Sequence, residues 1–291
     1  MTKMKLVGGN MVRIMRATIA LVITALFIVA CGKATTAKVS AEGQALQSAF
    51  QYNLLANGDI KLGESKVQGR VATTGNASLR NYSIGESLPN DSTRCDLSVA
   101  GSLQFTKGSV YQGAICVLGV LSKSDVGAGT TARKAIPENL TGLIVGAKAA
   151  AKAFAAFPAM QVVDEKTMAE SAPIIFTGRS SSLNVFQTSA ATLALATRID
   201  VVVPTGATAL INVSGIQVSF SSLSVNADSS RLLFNFYEAQ RLSMRGLNGK
   251  GSILAPLATT SFLDGAIDGN LVVGGITGNG RINYVPFVGV L

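Results

Sequence analysis

A glycine-led motif that returns along this chain constrains its fold more than any other feature. Residues 69–79 read GRVATTGNASL, and shorter versions open at Gly113, Gly251 and Gly269. In each, an aliphatic or β-branched residue follows two places later (Val71, Ile115, Ile253, Leu271), then a short apolar run, then a turn or breaker. Gly251 and Gly269 lie 18 residues apart. Corner glycines at such spacing, with short extended segments between them, are what a coiled β-solenoid requires, because every rung must turn and stack on the next. The chain is therefore read as mainly β, a parallel β-solenoid.

Composition agrees with that reading. Of 291 residues only 14% are charged, 30 are Gly, and Trp and His are absent, a balance that favours strands and turns. The net charge of +9 suggests a polyanion partner until the charges are located. Lys3, Lys5, Arg13 and Arg16 precede an apolar run, which leaves 21 basic against 16 acidic residues elsewhere, scattered and without interleaved aromatics. No nucleic-acid groove is expected from that pattern.

The apolar run, residues 17–30, is too short to span a membrane comfortably and fits a signal-peptide core. Ile28, Val29 and Ala30 precede Cys31 and Gly32, which resembles a bacterial lipobox. Residues 1–30 are thus expected to be a lipoprotein signal peptide with Cys31 as the lipidated residue; the alternative is an ordinary signal peptide with an incidental Cys. Residues 31–48, small and polar without periodicity, read as a flexible tether, and residues 49–291 as the folded domain. Cys95 and Cys116, in an oxidising compartment, read as a disulfide; their separation of 21 is close to one rung, and adjacent strands lie about 4.8 Å apart. Two buried thiols are the alternative. Two Cys without His make no typical zinc site, and no metal or cofactor is expected.

Within the domain, strands are predicted at 60–62, 66–72, 77–79, 96–101, 102–105 and 114–118, with a surface loop over 82–94. More follow at 174–177, 183–187, 198–203, 209–213 and 217–220. Between these groups, Leu140, Ile144, Ala147, Ala151 and Phe154 recur at helical spacing behind Pro137, predicting one amphipathic helix over about 137–157 that covers one side of the solenoid. Absence of His excludes Ser-His and Cys-His nucleophile pairs, and no phosphate loop or nucleophile elbow occurs. Asp164 with Glu165, and Asp264 with Asp268, read as solvated turns. Glu238 shares a face with Phe234 and Phe236 by alternation, so it is expected to be a buried carboxylate paired with Arg241 or Arg281.

Residues 52–59, 67–76, 81–85, 183–187, 209–215, 233–239 and 251–256 together resemble the choice-of-anchor A family of bacterial surface proteins, whose domain is also described as ice-binding-like and adhesive. The resemblance runs from about residue 49 to 288. It implies a discontinuous right-handed parallel β-solenoid with one long helix alongside, and adhesion at the cell surface; it carries over no catalytic residues. Members of that family usually have C-terminal anchors, whereas a lipobox stands at the other end here. The leading expectation is a non-catalytic, lipid-anchored module of the bacterial cell envelope, at the outer surface or facing the periplasm. It would be held to a membrane by its N-terminal lipid and would bind an extracellular polysaccharide or protein through a solenoid face. A carbohydrate-active enzyme on the same scaffold is the alternative. Ice binding is a third reading, set back by the isolation of the pairs Thr73 with Thr74 and Thr259 with Thr260.

Overall fold

The computed structural model describes residues 40–127, 131–167 and 172–291. The signal peptide, Cys31 and residues 32–39 of the tether lie outside them. The strands, 23 in number among the described residues, pair in parallel throughout and form a β-solenoid-like column with three faces.

Face I stacks, from one end, β10 (Gln161–Val162), β12 (Leu183–Ser189), β14 (Thr208–Ser214), β17 (Leu232–Asn235) and the first parts of β20 (Ser252–Leu263) and β22 (Leu271–Gly278). It continues with β1 (Leu54–Ala56), β3 (Val71–Thr73), β5 (Cys95–Val99), β7 (Ala114–Val117) and β9 (Ala132–Arg133). Face II stacks β15 (Gln217–Ser221), β18 (Arg241–Arg245), the second parts of β20 and β22, the first parts of β2 (Ile60–Val67), β4 (Ala77–Ile84) and β6 (Leu103–Val110), and β8 (Leu121–Val126). Face III holds β11 (Ile174–Thr177), β13 (Arg198–Val202), β16 (Ser224–Asn226), β19 (Asn248–Lys250), β21 (Ala266–Asp268), β23 (Arg281–Asn283) and the second parts of β2, β4 and β6. The insertion expected over 82–94 begins only after Ile84, because Tyr82 and Ile84 turn inward and extend β4.

The stacking is discontinuous. The rung begun by β1 sits on the rung begun by β22, with Leu54 opposite Leu271 and Ile60 opposite Ile276. Two buried asparagines fasten this joint. Asn270 Nδ2 donates to the carbonyls of Phe50 and Tyr52, both at 3.0 Å, while its Oδ1 accepts from Phe287 N at 3.0 Å. Asn53 Nδ2 donates to Gly269 O at 2.6 Å, and its Oδ1 accepts from Gly69 N at 3.0 Å. Each amide therefore satisfies backbone groups of two blocks at once, in a place where unpaired ones would be expensive.

The glycine motifs fall at one corner of the column. Ile253, Leu271, Val71 and Ile115 occupy a single inward row, completed by Leu54 and Leu97. A Cβ on Gly269 would lie 2.4 Å from Gly251 O, so no side chain fits where these corners stack. The corner between faces II and III is turned by residues of positive φ, among them Glu64, Asn81, Lys107, Asp125, Ser222 and Asp264, with φ between 49° and 55°. Left-handed backbone at a non-glycine residue costs about 1 kcal/mol, and its recurrence at one position in successive rungs marks a steric demand of the coil.

Face I is covered by helices. α1 (Ala41–Ala49) is capped by Ser40, whose Oγ accepts from Gly43 N at 2.9 Å, and α2 (Leu140–Ala155) packs beside it. Of the tether expected over 31–48, residues 41–48 are instead helical, in α1. So short a helix is marginal alone, but Leu46 and Ala49 pack in one cluster with Phe287 and Leu291, and Ser40 N donates to Leu291 O at 3.1 Å. On α2, Asn235 Nδ2 donates to Ala151 O at 2.9 Å and Asn212 Nδ2 to Phe154 O at 2.8 Å. Three helical residues rise about 4.5 Å and one rung about 4.8 Å, so successive rungs meet successive carbonyls near the helix end. α3 (Ala190–Leu195) takes the place of a strand on face II and packs against β15, covering that sheet edge.

Cys95 and Cys116 are joined in a disulfide with Cα atoms 5.7 Å apart, linking β5 to the neighbouring β7. Next to it Arg70 is buried, donating from Nε to Cys95 O at 3.0 Å and pairing with Glu138 on the segment that leads into α2. The Arg70 guanidinium lies 4.3 Å from the centre of the Tyr52 ring. Burial, offset in part by Arg70, pushes the Tyr52 phenol up to about 12. Burial also raises the Tyr82 phenol, whose hydroxyl has no hydrogen-bond partner.

Two outcomes follow from these packing facts. Asn270→Ala strands three backbone groups and is expected to lower unfolding free energy by about 2–4 kcal/mol in denaturant titrations; a change within experimental error would show that the joint does not depend on it. Tyr82→Phe removes an unpaired buried hydroxyl and should raise stability by about 1 kcal/mol near neutral pH. A phenol whose folded pKa is raised holds its proton after the unfolded chain has lost it, so stability falls as pH climbs from about 10. The Phe variant should flatten that alkaline fall, and an unchanged slope would contradict the assignment.

Candidate binding face

The three faces differ in what their outward side chains meet. On face I both sides are covered, and β1, β3, β5, β7 and β17 are buried at every position, as expected of parallel strands between two layers. On face III several outward polar groups bond one another, although Asn248, Lys250 and Arg281 have no such partner among the described residues. Arg198 pairs with Asp200 at 2.9 Å, Asn226 Nδ2 donates to Asp200 Oδ1 at 3.3 Å, Asn283 Nδ2 to Asp268 Oδ1 at 2.6 Å, and Lys66 pairs with Glu86 at 2.6 Å.

Face II stands apart. Its strands alternate buried and exposed, and its central outward row reads, in register, Ser219, Ser243, Ser261, Thr277, Lys61, Ser78, Gln104 and Ser122. None of these side chains has a hydrogen-bond or ion-pair partner among the described residues. At one strand every ~4.8 Å, the row runs for ~34 Å. The inward side is filled by Leu242, Ile276, Ile60, Leu103 and Phe105, which hold the sheet from behind.

The rows beside it are partly self-engaged. At the corner between faces I and II, Asp59 Oδ1 accepts from Asn76 N at 2.8 Å, Asn76 Oδ1 from Ser102 N at 2.9 Å, and Ser102 Oγ from Val120 N at 3.1 Å. On the other flank Arg80 pairs with Glu64 at 2.9 Å and Arg245 with Asp264 at 3.2 Å. Gln217, Arg241 and Thr259 complete the first row and are exposed.

Of the carboxylates singled out in the sequence, Glu165 and Glu238 border one shallow depression together with Gln217 and Ser219, whereas Asp264 and Asp268 lie elsewhere. Glu238 is exposed, not buried: β17 ends at Asn235, so the alternation stops short of it, and its Oε1 accepts from Gly215 N at 2.7 Å. Glu165 accepts from Ser189 Oγ and Thr192 Oγ1, both at 3.2 Å, and hydrogen bonds from its own backbone and these hydroxyls hold its carboxyl below the usual range. Asp264 turns a corner beside face II, while Asp268 lies on face III. Among the described residues no group of three Asp, Glu, Cys or His could hold a metal ion.

Sequence reasoning missed the central row, although its signal is present. Lys61, Ser78, Gln104, Ser122 and Thr277 each stand three places after a corner glycine: Gly58, Gly75, Gly101, Gly119 and Gly274.

A family model described as "Putative Ice-binding-like adhesive domain" matches residues 45–284. No curated protein matches the chain. Solved structures of similar fold include an ice-binding protein of the Antarctic ascomycete Antarctomyces psychrotrophicus, at 10% identity and TM-score 0.43, covering 82% of this chain and 96% of that one. The ice-binding protein LeIBP of an Arctic yeast is 15% identical at TM-score 0.45, with 87% and 98% covered. The DUF3494 domain of Shewanella frigidimarina ice-binding protein_1 is 10% identical at TM-score 0.33, with 82% and 95% covered. Likenesses at that level carry no functional argument.

Proposed function

We propose, because this chain belongs to the family of ice-binding-like adhesive domains, that it is an adhesion module of the bacterial cell envelope. In this reading lipid on Cys31 holds it to a membrane, and face II contacts an extended surface. The coil is taken as right-handed, as crossovers between parallel strands nearly always are. The observation that carries the reading is the central row of face II, whose side chains are presented in register and are not bonded to the protein itself. Each rung adds one polar contact, so affinity grows with the number of rungs engaged and no single deep pocket is required. We read the face as a site of contact and not of turnover. A glycosidase needs two carboxyls flanking one bond, whereas Glu238 is tied to the Gly215 amide and Glu165 to the hydroxyls of Ser189 and Thr192.

One observation favours ice as a second surface: six hydroxyl side chains stand in that row at even strand spacing. Against it, Lys61 breaks the row, and Arg80, Arg241 and Arg245 project beside it. A long hydrated cation disturbs an ordered water layer more than it templates one. Thermal hysteresis of the purified full chain is expected to be absent, and clear hysteresis would favour ice.

The adhesion reading is tested by placing a bulky side chain at the middle of the face. Ser261→Tyr should reduce retention of the full chain on glycan and matrix-protein arrays about fivefold, the weight of a contact near 1 kcal/mol, while Ser83→Tyr on face III should leave it unchanged. Equal retention of both variants and the parent would sink the face assignment. For the anchor, cells fed labelled palmitate should label the chain and not Cys31→Ala; an unlabelled parent would remove the lipid from the account.

A further inference from the structure

We infer that face II takes an acidic linear polysaccharide, lying along the column axis and held by the unpaired cations Lys61 and Arg241. This rests on the adhesion reading and narrows it to one ligand class. The face carries no aromatic residue in its outward rows, so a neutral sugar ring finds no platform to stack on. Among the described residues it has no carboxylate cluster for an ion-bridged sugar. What remains is hydrogen bonding and charge, repeated along a straight line, and the ligand must be periodic on the same scale.

The charges on the face are unevenly matched. Arg80 and Arg245 are neutralised by Glu64 and Asp264. Lys61 and Arg241 are exposed and form no ion pair among the described residues. Of the carboxylates that border the face, Asp59 has one oxygen committed to the amides of Asn76, Glu238 accepts from Gly215 N, and Glu165 accepts from Ser189 and Thr192. Lys61 stands in the central row where two shallow troughs meet. One runs toward Asn76, Gln104 and Ser122, the other toward Arg80 and Ser261, and Lys61, Ser78 and Thr277 border both. Arg241 lies three rungs away on the β18 strand, ~14 Å along the axis. A polymer that lies in the troughs and continues past Ser261 along the face meets polar side chains along the row and an unpaired cation at two separated points, Lys61 and Arg241. Repeating carboxylates or sulfates match that layout, whereas a neutral chain leaves both cations unanswered.

The test uses the purified full chain in detergent, with alginate as the polyuronate probe and dextran as the neutral glucan. The parent should be retained on alginate at ~0.02 M salt and released near 1 M, where screening acts within about 3 Å, and should pass through dextran. Lys61→Glu and Arg241→Glu should each weaken alginate retention about three- to tenfold, the range expected when an exposed pair is replaced by repulsion. Lys148→Glu, on helix α2 over face I, should have no effect. Circular dichroism of all three variants should match the parent. Retention on dextran equal to that on alginate, salt-insensitive binding, or charge reversals without effect would overturn this inference and leave the adhesion reading standing. Failure of the parent to bind alginate would do the same, provided that it is retained on another surface in a manner that Ser261→Tyr reduces. If no surface retains the parent, both fall together.

Discussion

The structure depends on a single joint between strands that are far apart in sequence. The rung that contains Leu54 and Ile60 has no neighbour of its own block on one side, and it finds one only in the rung that contains Leu271 and Ile276. Without that contact two sheet edges would be left open at the middle of the column, each a row of unpaired amides and carbonyls. Apolar burial alone cannot fix which rung meets which, because successive rungs present similar inward side chains. Asn53 and Asn270 supply the register, since each has hydrogen bonds that only the correct stacking satisfies. The cooperative unit is therefore the whole column.

The joint also decides what is available for contact. It carries face II through without a break, so that Thr277 and Lys61 become neighbours in one outward row although 216 residues separate them. The remaining two faces are committed elsewhere. Helices α1 and α2 bury face I, with the Asn212 and Asn235 amides matching the rise of the helix to the rise of the rungs. Cross-rung pairs occupy much of face III. What the coil leaves open is a flat, polar, periodic surface, suited to extended partners and poorly suited to small ones.

Much of this was legible in the residues. The glycine-led repeats gave corner positions that the structure places in one row, and the spacing of Cys95 and Cys116 matched adjacent rungs, where the disulfide is found. The losses have a common cause: local pattern cannot register a partner distant in sequence. Residues 41–48 look like tether because the groups that stabilise their helix, Phe287 and Leu291, stand at the other end of the chain. Continuing the alternation past Asn235 points Glu238 inward, but the strand gives way to a turn there. The central row of face II is hard to read because the glycine three places before it occurs at five of its eight positions, with Ile216, Gln240 and Ala258 standing there at the other three.

The account stands or falls on whether Lys61 and Thr277 face outward side by side across the joint. Replacing both by cysteine and oxidising the full chain measures this directly, since strands ~4.8 Å apart lie within the Cα window of a disulfide. The expected result is rapid, near-complete closure of that pair, with no closure when Lys61→Cys is combined instead with Ser243→Cys, two rungs farther along the same row. Absence of the first crosslink, or equal formation of the second, would mean that the two blocks do not stack in this register and that the open face is not continuous.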